Sequence, residues 1–439
     1  MHFVPPARGP LQGRLRVPGD KSVTHRALLF SVLADASCRV RSRLRAEDTD
    51  RSLAAVRALG VRVDGPDDDL LLTPAAVPAP GAAPDNAPVL DLDCGNSGTT
   101  TRLLLGLLAG RRVRARLDGD ASLRSRPMAR VVDPLRAMGA RIRYLEQEGR
   151  LPLEITGAAL TGADHVLAVP SAQVKSALLL AGLTAAGPTS VTGGGGSRDH
   201  TERLLRAMGA DLHGDAAADR WTIRPAAPLR PYDLDVPGDP SSAAFLLAAA
   251  ALVPGSEVRV ENVLTNPSRC GFADVWPGGL SREDDPAPAA EPVGAFTARA
   301  GLLDAKHVGG AVVPALIDEV PVLAVLAARA RGATRFADCA DLRHKESDRI
   351  AATAAGLRAL GVRVDTHDDG LTVHGEPDGF PAAGPVRVTT HGDHRIAMAF
   401  AVAGLASRGG VELDDAACVA VSYPDFFRDL DGLQAPRSG

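Results

Sequence analysis

One pattern recurs six times along the 439 residues, and this internal repeat constrains the fold more than any other feature. Each copy is a short polar or glycine-rich loop that leads into a long helix of Ala and Leu. The copies begin at Gly19, Gly95, Ser171, Gly238, Ile317 and Gly392. A helix that is apolar on every face must be buried on all sides. The sequence therefore predicts six buried helices.

A second helix is predicted after most copies, closing on a motif of the type Leu-Arg-Ala-Met-Gly-Ala. The motif stands at 56–61, 135–140, 205–210 and 357–362. Its glycine indicates a helix C-cap, and a short strand follows. The tetrapeptide VPGD occurs at 17–20 and again at 236–239, which divides the copies three and three. We therefore predict two similar domains, one of residues 19–236 and one of residues 1–18 plus 237–439. Pro/Ala/Gly stretches at 75–88 and 286–294 are interpreted as surface loops.

Composition excludes several classes of function. The net charge of −4 and the scarcity of Tyr and Trp argue against nucleic-acid binding. No apolar run is long enough to span a membrane. The five cysteines are widely spaced and lack CxxC pairing, which argues against disulfides and zinc and favours the cytoplasm. Only four of the 49 basic residues are lysines, so each retained lysine is a candidate for a site that needs a compact ammonium, Lys21 and Lys345 above all.

Polar residues at the helix starts are the candidate functional groups, because a buried helix has no structural need of them. Helix N-termini present N–H groups and positive partial charge, so several of them together would bind anions. Capping is the competing interpretation at each start. The candidates here are Lys21, Ser22, Arg26, Arg102, Arg126, Ser171, Gln173, Ser197 and Arg198. Pro127 is expected to favour the first turn of the helix after Arg126.

A mixed set of acids and bases marks the later helix starts. Asp318 and Glu319 precede an apolar helix, where a carboxylate can also serve as a cap. The segment HKESDRI contains Lys345, Glu346, Asp348 and Arg349, and HGDHRIAM contains Asp393, His394 and Arg395. Charge pairing within a helix is the alternative. Proton transfer between anionic substrates requires this combination of acid, base and cation. No motif calls for a metal or an organic cofactor.

Eleven motifs resemble, in order and spacing, the 5-enolpyruvylshikimate-3-phosphate synthase family of enolpyruvyl transferases. They are VPGDKSVTHRA, DCGNSGTTTRLL, DASLRSRPM, SAQVKSALLLAGL, SRDHTERLL, VPGDPSSAAFLLAAA, NPSRCGF, LIDEVPVLAV, KESDRIAA, GDHRIAMA and SYPDFF. The match spans nearly the whole chain. It implies a two-domain inside-out α/β barrel of six βαβαββ-like repeats, three per domain, with the active site in the cleft between the domains.

The resemblance also implies a reaction. A cytoplasmic enzyme of the shikimate pathway, which leads to chorismate and the aromatic amino acids, would transfer the enolpyruvyl group of phosphoenolpyruvate to the 5-hydroxyl of shikimate 3-phosphate and release phosphate. The implied shikimate 3-phosphate ligands are Lys21, Ser22, Arg26, Ser171, Ala172, Gln173, Ser197, Asp318 and Lys345. The implied phosphoenolpyruvate ligands are Lys21, Gly98, Arg126, Gln173, Arg349 and Arg395. Asp318, Glu346 and Lys21 are the implied catalytic residues, and we expect a monomer.

Two departures from the family pattern stand out. Many members carry a lysine just before SYPDFF, where this chain has Val421, so we expect weaker phosphoenolpyruvate affinity. In the fourth copy, Pro277, Gly278 and Gly279 would break the second helix, through either an irregular loop or a local error in the sequence. Two other functions compete: a sister enolpyruvyl transferase acting on a UDP-amino sugar, and a non-catalytic relative kept as a binding module.

Overall fold

The computed structural model of the protein describes residues 1–75, 79–84, 86–215, 219–226, 228–286 and 290–434. Contacts divide the chain into two compact units. The inserted unit is Gly19–Val236, and the terminal unit combines Met1–Pro18 with Pro237–Gly439. Among the described residues, no helix is long and apolar enough to cross a membrane. The loops predicted at 75–88 and 286–294 lie partly outside the described residues.

Two strands of the terminal unit open the chain, β1 (His2–Val4) and β2 (Gln12–Arg16). The inserted unit then alternates strands and helices. Its strands are β3 (Cys38–Arg41), β4 (Arg62–Asp64), β5 (Asp69–Thr73), β6 (Val89–Asp93), β7 (Arg114–Asp118), β8 (Arg141–Tyr144), β9 (Leu153–Thr156), β10 (Asp164–Val166), β11 (Thr189–Thr192), β12 (Leu212–Asp215), β13 (Arg220–Ile223) and β14 (Asp233–Asp235). Its helices are α1 (Lys21–Leu29), α2 (Glu47–Ala58), α3 (Gly98–Ala109), α4 (Ala121–Arg124), α5 (Ala129–Ala137), α6 (Ala172–Gly182) and α7 (His200–Ala207).

The remainder of the terminal unit follows the same alternation. Its helices are α8 (Pro240–Leu252), α9 (Gly271–Asp274), α10 (Val320–Ala327), α11 (Arg349–Ala359), α12 (His394–Ala406) and α13 (Phe426–Gly432). Its strands are β15 (Glu257–Leu264), β16 (Leu280–Asp284), β17 (Val293–Arg299), β18 (His307–Val308), β19 (Ala333–Phe336), β20 (Val364–His367), β21 (Gly370–His374), β22 (Val386–Val388) and β23 (Val411–Leu413). Short 3₁₀ turns at Ile317–Glu319 and Ala340–His344 precede α10 and α11.

Within its described residues, the inserted unit contains three sheets of one design. The strand orders are β14-β3-β5-β4, β6-β7-β9-β8 and β10-β11-β13-β12. In each sheet the first pair is parallel and the other two pairs are antiparallel. Parallel neighbours need a crossover helix, and antiparallel ones a tight turn. Strands β6 to β9, with the helices between them, therefore give the βαβαββ order that the resemblance implies.

The terminal unit repeats this design with two variations. Its sheets have the orders β16-β17-β15-β2, β18-β19-β21-β20 and β1-β23-β22. Strand β2 precedes α1 in the chain but pairs in parallel with β15, whereas β14 precedes α8 but pairs in parallel with β3. The first strands of repeats one and four are thus exchanged at the two VPGD segments. The sixth repeat has three strands, because the N-terminal strand β1 closes it.

The six predicted buried helices are confirmed as the core of each unit. Every residue of α8 and of α10 is buried, and α8, α10 and α12 pack against one another. In the inserted unit, α3 lies against α6 at Gly106, where an added Cβ would stand 2.1 Å from the backbone oxygen of Ala177. With the helix sides occupied by packing, the polar groups available for chemistry lie at the helix starts.

The predicted C-caps are also confirmed. The glycines that follow the second helices have φ of 90° at Gly60, 103° at Gly139, 85° at Gly209 and 86° at Gly361, a region where a side chain is strained. In repeat four the second helix is only the four residues of α9. The chain then passes the predicted helix-breaking residues and forms β16, which pairs with β17. Repeat four thus has a turn where the rest of the second helix would lie, and it keeps its edge strand β16.

Candidate functional site

The starts of the buried helices combine side-chain caps with backbone N–H groups. In the inserted unit, Asp20 caps α1, Ser97 caps α3 and Ser171 caps α6 through side-chain oxygens that accept backbone hydrogen bonds. In the terminal unit, Asp239 caps α8 and Asp393 caps α12 in the same way. The capping interpretation is therefore correct for these five residues. Capping does not exclude ligand binding, so Ser171 and the residues after each cap remain candidates.

Lys21, the first residue of α1, forms an ion pair with Asp48 in the first turn of α2. Burial raises the pKa of the Asp48 carboxyl, but the charge of Lys21 and the hydrogen bond from its ammonium more than offset this and hold the pKa below its usual range. An anionic ligand at the start of α1 would therefore compete with Asp48 for the ammonium of Lys21.

Arg26 is almost fully buried and makes several hydrogen bonds within the protein. Only 3% of it is exposed, and its guanidinium donates to the Thr201 hydroxyl at 2.7 Å, the Ser176 hydroxyl at 3.0 Å and the Ser22 carbonyl at 2.9 Å. The side chain therefore ties α1 to α6 and α7. Ser22 remains nearer the surface, where its hydroxyl accepts from Arg198 at 3.5 Å.

Gly98 and Gln173, both implied ligands, meet around Arg102. The Arg102 guanidinium donates to the side-chain oxygen of Gln173 at 2.8 Å. An added Cβ at Gly98 would stand 2.6 Å from Nη1 of Arg102 and 3.4 Å from Nη1 of Arg126. The absence of a side chain at Gly98 therefore gives the two guanidinium groups access to the start of α3.

Three arginines concentrate positive charge at this place. Burial, followed by the charges of Arg126 and Arg130, lowers the pKa of Arg102 to about 10. Arg126 donates to the side-chain oxygen of Asn96 at 2.5 Å. The expected role of Pro127 as a first-turn residue is wrong, because α5 begins at Ala129 after the cap residue Met128. Clustered cations at a helix start form a site that stabilises a bound anion.

Ser197 and the start of α6 complete the polar groups of the inserted unit. Ser171, Ala172 and Gln173 are the cap and the first two residues of α6. The hydroxyl oxygen of Ser197 is buried and has no hydrogen-bond partner among the described residues. Such an orphaned hydroxyl is costly unless a ligand or water binds it. Ser197 therefore remains a candidate for ligand binding.

Sequence reasoning missed a buried hydrogen-bond chain behind these helix starts. Nδ1 of His25 lies 2.8 Å from the Ser52 hydroxyl, which is 2.8 Å from the Thr100 hydroxyl, which is 2.7 Å from the Ser97 hydroxyl. Burial, and then the charge of Lys21, lowers the pKa of His25 to about 3, so the ring is neutral. These hydrogen bonds connect α1, α2 and α3. In the sequence, only the hydroxyl residues within buried helices indicate them.

Arg349 is the centre of the cluster in the terminal unit. It is 1% exposed, and its guanidinium contacts three carboxylates: Asp393 at 2.8 Å, Asp318 at 3.1 Å and Glu346 at 2.6 Å. Burial lowers the pKa of Arg349, but these three charges outweigh it and raise the pKa overall. The same interaction outweighs burial at Glu346 and Asp393, whose carboxyl pKa values lie below their usual range.

Asp318 joins the other predicted residues of this unit. Its carboxylate lies 3.5 Å from Nζ of Lys345 and 3.8 Å from Nη2 of Arg395, and its backbone oxygen accepts from Arg395 at 3.1 Å. Glu319, the cap residue of α10, makes no capping hydrogen bond with its side chain. It instead accepts from the Ser241 hydroxyl. The structure thus gathers Asp318, Lys345, Glu346, Arg349 and Arg395 into one group.

His394 lies beside this group of charged residues but is itself uncharged. Burial, then the charge of Arg395, lowers the pKa of His394 to about 3, so the ring is neutral. Among the described residues, no group of three or more His, Cys, Asp or Glu side chains could hold a metal ion. The cluster of the terminal unit consists of carboxylates balanced by guanidinium and ammonium groups.

The chain matches known proteins along nearly its whole length. The model of the EPSP synthase (3-phosphoshikimate 1-carboxyvinyltransferase) family matches residues 6–430. A 3-phosphoshikimate 1-carboxyvinyltransferase of Anaeromyxobacter sp. (strain Fw109-5) is 48% identical, with 97% of each chain covered. One from Parasynechococcus marenigrum is 45% identical, with 98% of this chain and 97% of the relative covered.

Solved structures agree with the sequence matches. An EPSP synthase from Acinetobacter baumannii superposes with a TM-score of 0.88 at 37% identity, covering 98% of this chain and 97% of the other. The enolpyruvyl transferase NikO from Streptomyces tendae has a TM-score of 0.75 at 21% identity, covering 98% of this chain and 96% of the other, and shares the fold. The predicted fold class is confirmed. The chain therefore belongs to the EPSP synthase (3-phosphoshikimate 1-carboxyvinyltransferase) family.

Proposed function

We propose that this protein transfers the enolpyruvyl group of phosphoenolpyruvate to the 5-hydroxyl of shikimate 3-phosphate and releases phosphate, as a step of the shikimate pathway to chorismate and the aromatic amino acids. The observation that carries the chemistry is the contact of two carboxylates, Asp318 and Glu346, with the one buried guanidinium of Arg349. Addition and elimination require one group to take a hydroxyl proton and another to move a proton at carbon.

The shikimate 3-phosphate ligands are proposed from helix starts and from the loop before α7. The orphaned hydroxyl of Ser197 and the N–H groups at the start of α6 suit a phosphate. Lys345 and Asp318, at 3.5 Å from each other, suit the hydroxyl groups of the ring. The full proposed set is Lys21, Ser22, Arg26, Ser171, Ala172, Gln173, Ser197, Asp318 and Lys345.

The phosphoenolpyruvate ligands are proposed where the arginines concentrate. The carboxylate and phosphate of this substrate need several cations, and guanidinium groups bind such anions in a bidentate manner. The proposed set is Lys21, Gly98, Arg126, Gln173, Arg349 and Arg395. Arg102, which holds the side chain of Gln173 at 2.8 Å, would position that amide.

The proposed chemistry starts at the substrate hydroxyl. Asp318 accepts its proton while the oxygen attacks C2 of phosphoenolpyruvate, and Glu346 protonates the methylene carbon. The tetrahedral intermediate then loses phosphate as the ammonium of Lys21 protonates the departing oxygen and Glu346 takes the proton back from the new methyl group. The hydroxyl proton held by Asp318 passes to solvent, from which Lys21 is protonated again. Negative charge develops on the departing phosphate in the transition state. Fixed cations beside it stabilise that transition state.

Glu346 needs a higher pKa in the complex than in the free enzyme to act as the acid. Partial desolvation raises the pKa of the half-exposed Glu346, but the charge of Arg349, 2.6 Å away, outweighs this and holds the pKa below its usual value. A substrate carboxylate bound to Arg349 would compete for that guanidinium, and its negative charge would lie near Glu346. Both effects raise the pKa of Glu346. Substrate binding would thereby prepare the acid.

Turnover in D₂O tests the proposal. We expect deuterium to enter the methylene carbon of recovered phosphoenolpyruvate and of the product only when shikimate 3-phosphate is present. Asp318→Ala and Glu346→Ala should each slow turnover by roughly 10² to 10⁴ fold. Glu283→Ala is the matched control, because Glu283 also forms an ion pair with an arginine, Arg259, but lies outside the proposed site. Retention of more than about a tenth of turnover in either site variant would contradict its role.

The oligomeric state, location and cofactor requirement of the enzyme are further proposals. We infer a cytoplasmic monomer that needs neither a metal nor an organic cofactor and binds neither nucleic acid nor a membrane. Sedimentation at several protein concentrations tests the monomer, since a concentration-dependent mass would contradict it. Activity after dialysis against a chelator tests the independence from metals, which a loss of turnover restored by a divalent cation would refute.

A further inference from the structure

Lys175 is a buried lysine that the proposed reaction does not use. It lies on the second turn of α6 and is 2% exposed. Its ammonium is 2.6 Å from a carboxylate oxygen of Glu202, which is equally buried on α7. It also donates to the backbone oxygen of Ser197 at 3.3 Å and lies 5.8 Å from the centre of the Trp221 ring. One ammonium thus connects two helices with the loop before α7.

That loop consists mainly of glycine. Residues 193–196 are all glycine, and φ is 84° at Gly193, 51° at Gly195 and 69° at Gly196. Glycine loses more conformational entropy on ordering than any other residue. Such a loop binds a ligand well only if other contacts have already ordered it.

The fixed points of the loop are few. The backbone N–H of Gly195 donates to the Asp219 carboxylate at 2.6 Å, and that of Ser197 donates to the Gly194 carbonyl at 2.9 Å. An added Cβ at Gly194 would lie 3.4 Å from Cδ of Lys175, so the lysine stem supports the loop from below. Its ammonium supplies the link to Ser197 itself.

Ser197 is where the loop meets the substrate in the proposed function. Its backbone oxygen is held by Lys175, while its buried hydroxyl has no partner among the described residues. The pair Lys175–Glu202 also stands next to Thr201, whose hydroxyl accepts from Arg26. Fixing the carbonyl of a residue restricts the directions in which its side chain can point.

We propose that Lys175 is a positioning residue for shikimate 3-phosphate, which holds the backbone of Ser197 so that its hydroxyl faces the substrate phosphate, with Glu202 balancing the buried charge. The proposal rests on the proposed function. It assigns to the ammonium the ordering of the glycine loop before substrate arrives.

Steady-state kinetics of two variants test this role. Lys175→Met alone would leave Glu202 buried without its counter-charge, so the informative variants are Glu202→Gln and the double variant Lys175→Met/Glu202→Gln. We expect KM for shikimate 3-phosphate to rise about tenfold or more in the double variant, with KM for phosphoenolpyruvate nearly unchanged. Glu202→Gln keeps the ammonium beside Ser197 but removes its counter-charge, so KM for shikimate 3-phosphate should rise clearly less than in the double variant.

Two results would overturn the proposal. An equal rise of both KM values, or a fall in kcat with neither KM changed, would mean that Lys175 acts only on overall stability. An equal rise of KM in Glu202→Gln would assign the effect to the ion pair rather than to the contact with Ser197. Lys306→Met, which removes an exposed lysine of the terminal unit, serves as the control and should change nothing.

Limited proteolysis gives a readout that does not depend on the reaction. Trypsin cleaves after Arg198, the residue that follows Ser197. We expect cleavage there to be several-fold faster in the double variant than in wild type or Glu202→Gln, without any substrate. Equal cleavage rates would refute the ordering role even if the enzyme is active. Faster cleavage in an enzyme that fails to use shikimate 3-phosphate would support the ordering role and reject the proposed function.

Discussion

Replacing Arg349 by methionine should destabilise the terminal unit more than the loss of any exposed ion pair. The guanidinium is 1% exposed and Asp393, its partner at 2.8 Å, is fully buried. Methionine keeps an unbranched apolar stem but leaves Asp393 without its cation. Breaking a buried pair from one side costs about 3–5 kcal/mol. That is a large fraction of a typical unfolding free energy of about 5–15 kcal/mol.

A double variant of Arg349 and Asp393 measures the interaction between these two residues separately from their other contacts. Asp393→Asn keeps an acceptor for the backbone N–H of Arg395, which the carboxylate caps at 2.9 Å, since asparagine is also a good N-cap. Arg349→Met/Asp393→Asn removes both buried charges. We expect it to be more stable than the sum of the single losses by about 2 kcal/mol, as for residues in direct contact.

Urea unfolding followed by circular dichroism measures these free energies. Arg331 and Asp304 provide the matched control, because they form a pair at 2.7 Å in the same unit but are both more than half exposed. Arg331→Met and Asp304→Asn should each lower the free energy of unfolding by no more than about 1 kcal/mol. The reasoning would be refuted if Arg349→Met lowered the free energy of unfolding as little as Arg331→Met does. It would also be refuted if the effects of Arg349→Met and Asp393→Asn simply added in the double variant.

Three further outcomes are expected. Gly98→Ala places a Cβ 2.6 Å from Nη1 of Arg102, so KM for phosphoenolpyruvate should rise about tenfold with the urea midpoint nearly unchanged; an unchanged KM would contradict the close approach. The pKa of Asp393 and that of Asp48 lie below the usual value, so their stabilisation is complete above about pH 4 and is lost as pH falls through the folded values; a urea midpoint that stays constant down to about pH 2 would contradict this. Val421→Lys, at a position 43% exposed, should lower KM for phosphoenolpyruvate several-fold, and no decrease would mean that another cation already compensates.

Much of the fold could be predicted because its signals are local. Helices such as α8, apolar on every face, have a single physical solution, which is burial on all sides. The glycines after the second helices, such as Gly60 and Gly139, mark the C-caps because only glycine adopts positive φ without strain. These signals require no knowledge of distant contacts.

No local pattern in the sequence indicates the strand exchange at the two VPGD segments. The VPGD motif after β2 and after β14 shows that the two places are equivalent, but not that each strand pairs in the sheet of the other repeat. Register between distant strands depends on tertiary packing, which one sequence does not reveal. The closure of the sixth repeat by β1 could not be predicted for the same reason.

The candidate site was predictable where motifs concentrate charged residues and not where partners come from separate segments. Lys345, Glu346 and Arg349 lie within five residues, so their proximity follows from the chain. Asp48 lies far from Lys21 in sequence, and Arg102 contacts Gln173 across 71 positions. Such pairs are formed by the packing of helix starts, which repeat periodicity alone does not specify.

The most direct test of the central claim is phosphate release from phosphoenolpyruvate by the purified protein, with shikimate 3-phosphate in one reaction and UDP-N-acetylglucosamine in another. The account predicts release that depends on shikimate 3-phosphate and is absent with the UDP-amino sugar. Release with the UDP-amino sugar alone would assign the protein to the sister reaction. No release in either reaction from folded protein would contradict the account and favour a non-catalytic binding role.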